Sequence, residues 1–240
     1  MTSSDFRQRA RDALNGNWFV AVIAAFIASL LGGISTGGGF SFDFSTTGED
    51  MTDAELEAFM AQLGINEEIL TTLLVIIGVF AVIGFVYSIV CLIVGSGVSV
   101  GYAQLNLDLI DKGYTSVGTI FSRFDQWKTA LVARLLVGLR VLLWSLLFII
   151  PGIIESYSYA MVSFVMADNP HMTASEAMAE SKRLMKGNRW RLFCLSFSFY
   201  GWALLSVLTL GIGMLWLTPY MQASFAAFYR QIKADANYTV

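Results

Sequence analysis

The apolar residues fall in long blocks instead of alternating with polar ones. Ala13–Phe42, Ile69–Leu107 and Leu192–Tyr229 run for 30, 39 and 38 residues without an Asp, Glu, Lys or Arg. A helix needs about 20 apolar residues to cross a hydrocarbon core of roughly 30 Å. The first block therefore holds one span, over residues 17–34. The last block would make a straight helix of roughly 57 Å at ~1.5 Å per residue. It is too long for one crossing, and Gly211 and Gly213 favour a tight turn in its middle. Spans are predicted there over 192–210 and 212–229. In the second block a span is predicted over 70–93. Beyond Gly95, Gly97 and Gly101 the helix is expected to continue or kink at the membrane surface through Tyr102–Asp111. Thr129–Val165 is divided by Pro151-Gly152, since proline ends one helix and starts another well. This adds spans over 129–150 and 151–166. The expected fold is one all-α membrane domain over 1–240: a polytopic bundle of six spans.

Composition agrees with this class. Charged residues are 14% of the 240 and apolar residues 56%, with mean hydropathy +0.63. A soluble domain carries roughly 25% charged residues. A soluble enzyme, a disordered chain and a disulfide scaffold are excluded. The net charge of −3 also argues against nucleic acid as a partner. Cys91 and Cys194 read as packing residues, not a bridge. The first span is read as an uncleaved helix, because no clean cleavage site follows it.

The basic residues are unevenly placed. Arg7, Arg9 and Arg11 precede the first span; Lys112, Arg123 and Lys128 lie between the second and third; Lys182, Arg183, Lys186, Arg189 and Arg191 lie between the fourth and fifth. Residues 35–68 hold eight acids and no base. The positive-inside rule puts both termini and the basic loops in the cytoplasm and the acidic loop outside.

Trp18, Trp127 and Trp190 each introduce an odd-numbered span, as interfacial anchors. Gly101-Tyr102-Ala103-Gln104, Ser158-Tyr159-Ala160-Met161 and Pro219-Tyr220-Met221-Gln222 echo one another near the ends of the even-numbered spans. The chain thus reads either as three copies of a helical hairpin with an interfacial helix, or as the general preference of any interface for Trp and Tyr. Thr173-Ala174-Ser175-Glu176 and Thr52-Asp53-Ala54-Glu55 have the capping-box pattern. The helix after Thr173 has one apolar face and carries Lys182, Arg183 and Lys186, so it is expected to lie on the membrane surface against anionic headgroups.

Chemistry is sparse. Gly97-Val98-Ser99-Val100-Gly101 matches the pattern around a hydrolase serine, but that motif works as a strand–turn–helix elbow with a histidine and an acid. The sole histidine, His171, lies in a loop. The better reading is G-x-x-x-G packing through Gly97 and Gly101, with an internal or a second-protomer partner. His171 with Asp168 offers too few ligands for a metal. No cofactor is expected. Arg134, Arg140 and Glu155 form the candidate intramembrane polar site. Arg134 is expected to snorkel to the cytoplasmic side. Arg140 is expected near mid-membrane, facing the bundle interior, with Glu155 about 10 Å away near the outer surface.

Three blocks carry a resemblance: Leu147–Ile154 with Ser158–Met161 and Ala167–Pro170; Ser175–Ala177 with Ser181–Gly187; and Leu195–Phe197, Gly201-Trp202 and Gly211–Gly213 with Leu217–Tyr220. Together they resemble a family of uncharacterised bacterial multi-pass membrane proteins, distantly similar to the membrane part of glycerophosphodiester phosphodiesterases. The resemblance covers nearly all of the chain except 35–68. It implies a bacterial cytoplasmic membrane location and no catalytic residues. The expected function is non-enzymatic: binding of lipid headgroups or another membrane protein in the envelope. The alternative is a small transporter or channel-like protein using Arg140.

Overall fold

Among the described residues all regular structure is helical, as the block pattern predicts. The computed structural model describes residues 2–33, 67–209 and 211–237. The acidic segment and its capping box at Thr52–Glu55 lie outside them. The helices are α1 (Ser3–Leu14), α2 (Trp18–Leu30), α3 (Glu67–Lys112), α4 (Trp127–Leu147), α5 (Ile149–Ser158), α6 (Val162–Asp168), α7 (Ala174–Met185), α8 (Arg189–Phe197), α9 (Tyr200–Leu208) and α10 (Met214–Asn237). Two short 3-10 turns, Val117–Phe121 and Phe124–Gln126, lead into α4.

The chain divides into two units, residues 1–36 with 91–240, and residues 37–90. In the second unit the described part is helical, and its apolar side chains, such as Leu74, Ile77, Phe80 and Phe85, are exposed. Three stretches are long and apolar enough to cross a membrane: Thr71–Lys112, Val117–Leu147 and Ile149–Asp168. The pair α1 and α2 would add a fourth, but it is bent by 104°.

Helices occupy each predicted span, with different breaks. Tyr102–Asp111 continue the preceding helix: α3 runs through them to Lys112. The third and fourth segments part at Phe148, one turn before Pro151, where the backbone is extended (φ −156°, ψ 139°). Pro151 then falls in the first turn of α5, where its missing N–H costs nothing. The fourth segment breaks again after Ser158, at Tyr159–Met161, and the fifth at Ser198–Phe199 between α8 and α9. The α4–α5 hairpin closes tightly because Gly152 lies against Ser145: a Cβ there would fall 2.1 Å from Ser145 Oγ. Gly213 meets Ser206 in the same way across the α9–α10 turn.

Two helices share one backbone pattern. Helices α1 and α7 are each 12 residues long, start from a Thr capping box, and end two positions before a glycine with φ of 85° or 86°. An asparagine then begins the next helix in both. A left-handed glycine at this point reverses the chain sharply from an amphipathic helix into an apolar one. In the boxes, the Thr2 amide donates to Asp5 and the Thr173 amide to Glu176, at 2.7 and 2.8 Å. These bonds hold both carboxyls below the usual carboxylate range. The stabilisation is therefore complete at neutral pH and is lost as pH falls through the lowered values. Acid titration should melt Thr2–Leu14 and Thr173–Met185 before the apolar helices, as amide exchange would report.

The core lies where α1, α6, α7 and the second half of α10 meet. Phe6 of α1 packs edge-on against Phe228 of α10, ring centroids 5.3 Å apart. Phe164 of α6 stacks on Tyr229 at 5.8 Å. The buried face of α7, Ala174, Ala177, Met178, Ser181, Leu184 and Met185, packs on α4, α5, α6 and α10. This overturns the expectation that its apolar face rests in lipid: protein covers that face, and the charged face is exposed.

Candidate functional site: two polar clusters

The break after Ser158 and the seating of α7 bring three helices together around Tyr159. Arg140 Nη1 of α4 donates to Tyr159 Oη at 3.2 Å, and Tyr159 Oη donates to Glu155 Oε1 at 2.9 Å. Lys182 Nζ of α7 donates to the same Glu155 oxygen at 2.7 Å. Ser181 Oγ, next to it, donates to the Ser158 carbonyl at 2.9 Å. The guanidinium of Arg140 and the ammonium of Lys182 both lie about 6 Å from the Tyr159 ring, within cation–π range. Glu155 is buried, whereas Arg140 is exposed.

Two expectations change here. Glu155 is not an outer-surface residue remote from the basic helix, because Lys182 of that helix bonds it. Arg140 does not face the bundle interior, because helix rotation puts it beside the exposed Leu139, Leu142 and Leu143. Lys182 and Arg183 have protein partners, Glu155 and Glu180. The Arg183 bond holds Glu180 below its ordinary pKa.

Arg134 stays apart from this cluster. Its Nη1 donates at 2.9 Å to the Gly32 carbonyl just beyond the end of α2, where a cation meets the negative end of the helix. Gly97 and Gly101 find their partner within the chain. Gly101 lies against the Ile120 carbonyl, and Gly97 against Phe124 and Trp127. Trp18 and Trp127 are half-buried, with Lys128 over the Trp127 ring, while Trp190 is 72% exposed and stacks on Phe193. Cys91 and Cys194 are free thiols.

A second cluster escaped the sequence. Arg230 of α10 forks between two carboxylates: Nε and Nη2 to Asp111 at the end of α3, and Nη1 to Asp168 at the end of α6, the Nε and Nη1 bonds at 3.0 and 2.9 Å. Lys233 and the Tyr229 hydroxyl also bond Asp168. Asp168 therefore belongs to α10 and not to His171, which is exposed in its loop. The signal was present in the repeat: Asp111, Asp168 and Tyr229 each stand nine positions after Tyr102, Tyr159 and Tyr220. Positions with the same spacing from a tyrosine meet in this one cluster. Among the described residues no three His, Cys, Asp or Glu come together as a metal site.

Fold and site define an all-helical protein with several helices long and apolar enough to span a membrane. Residues 146–236 match a family described only as a protein of unknown function, DUF975. That stretch holds the three blocks that carried the resemblance; residues 1–145 lie outside the match, so it is narrower than the resemblance implied. No curated protein and no solved structure matches the chain. The similarity to glycerophosphodiester phosphodiesterases has no support in these comparisons.

Proposed function

We propose that this chain is an integral protein of the bacterial cytoplasmic membrane that binds lipid or a membrane partner and catalyses no reaction. One observation carries the reading. Apolar side chains at the hairpin ends, those of Leu142–Ile150 and of Leu204, Leu205, Leu208, Ile212, Leu215 and Trp216, are exposed on a base closed by buried aromatics and ion pairs. Monomeric soluble proteins seldom expose apolar patches beyond a few hundred Å². A bilayer is the solvent that suits these ends. The sequence pattern allows up to six crossings, and four where the α4–α5 hairpin does not traverse, with both termini and α7 on the cytoplasmic side in either case. The transport reading gains nothing from Arg140, since an exposed side chain on a hairpin flank lines no enclosed path.

Two experiments test the proposal. Alkaline-phosphatase fusions are expected to be active at residue 50 and inactive at residue 180; the reverse would sink the orientation. Native mass spectrometry from membranes should find lipid retained on the purified chain, and a lipid-free protein that stays folded would sink the binding role.

A further inference from the structure

We infer that the α4–α5 hairpin stands in a single leaflet, as a re-entrant wedge with Arg140 and Lys182 on lipid phosphates and its turn among the acyl chains. The inference rests on the membrane reading above.

Depth is set by α7. Its exposed face carries Glu176, Lys182, Arg183 and Lys186, which need water or headgroups, because charge in hydrocarbon is costly. Three bonds fix the hairpin to that level: Ser181 to Ser158, Lys182 to Glu155, and Arg140 to the Tyr159 that joins Glu155. Above it, Val141–Ile154 contains no charge. Seven residues separate Arg140 from Leu147, and six separate Ile149 from Glu155. Each arm therefore rises about 10 Å at ~1.5 Å per residue. One leaflet of hydrocarbon is about 15 Å deep, and a crossing needs about 30 Å.

The turn is made for that depth. A connection in water is ordinarily built from Gly, Asn, Asp or Ser. Here Leu146, Leu147, Phe148, Ile149 and Ile150 are all 65–83% exposed. The Phe148 amide donates to the Trp144 carbonyl at 3.0 Å, and the Gly152 amide to the Phe148 carbonyl at 3.3 Å. These bonds close the last turn of α4 and the first turn of α5 on either side of the break.

Arg140 supplies the ligand chemistry. Glu155 is taken by Lys182, and Arg140 has no carboxylate partner among the described residues. One of its five N–H donors is used. A phosphate accepts the remaining fork, and the exposed Leu142 and Leu143, on the turn side of Arg140, suit the acyl chains beyond it.

Spin labels measure the depth directly. Leu139→Cys and Phe148→Cys change exposed residues and leave Arg140 in place; Cys91 and Cys194 are replaced by alanine in both. Labelled chains go into vesicles of phosphatidylglycerol and phosphatidylcholine. At 139 the label should relax with a water-soluble nickel complex. At 148 nickel access should be lost and oxygen access should rise. Nickel access at 148 with oxygen access at 139 would mean a hairpin that crosses, overturning the inference while the membrane reading stands. Nickel access at both would overturn both.

Discussion

Gly101→Ala is expected to destabilise the protein by about 3 kcal/mol or more, at the upper end of overpacking costs. A Cβ on Gly101 would fall 1.7 Å from the carbonyl oxygen of Ile120 and 2.5 Å from its carbonyl carbon. Both are backbone atoms of the 3-10 turn Val117–Phe121, and Ile120 is fully buried against Val98, Tyr102 and Leu105. The connector would have to lift off α3. Gly97→Ala meets only the Phe124 ring at 3.0 Å and Trp127 Cβ at 3.2 Å, and Phe124 is 39% exposed and can move. Thermal unfolding in detergent should rank Gly101→Ala far below Gly97→Ala. Equal losses would mean that the connector is not seated on α3 as described.

Arg230→Met is expected to cost about 2–3 kcal/mol. Removing one member of a buried ion pair costs roughly 3–5 kcal/mol, and that figure is reduced here because the side chains of Asp111, Asp168 and Arg230 keep 17–40% of their exposure. The loss leaves Asp111 without its guanidinium and Asp168 with Lys233 and Tyr229 alone. Arg230→Lys should recover part of the loss at most, since an ammonium cannot fork two carboxylates. Lys233→Met should cost less than Arg230→Met, because Asp168 keeps two partners. Melting temperatures of the three variants at low and high salt check the order. Arg230→Met melting with the parent would refute the cluster's role.

The helical class was legible because charge-free apolar blocks this long favour helices, which satisfy their own backbone, and Trp18–Leu30 and Trp127–Leu147 fall within a few residues of their predicted limits. The breaks were less so. Phe148 and Ser198–Phe199 carry no Gly or Pro, and their placement follows from packing that a one-dimensional pattern does not encode. Polar residues were found but mispaired. Arg140, Glu155 and Arg134 stood out by being charged in apolar surroundings. The apolar face of α7 was assigned to the membrane surface because amphipathicity reports that a face is buried without saying what buries it. Gly101 was legible as a close contact, though its partner was not.

The convergence of Asp111, Asp168 and Tyr229 with Arg230 has a consequence in time. A chain is made from its N-terminus, so two carboxylates leave the ribosome long before the guanidinium that ties them. Until Arg230 emerges, the ends of α3 and α6 carry like charges with no fork between them. They repel weakly, and the tie between the two ends is made only when Arg230 arrives. Assembly of the base is thereby deferred to the last helix, which arrives carrying both the aromatic ring for Phe6 and the cation for the two acids.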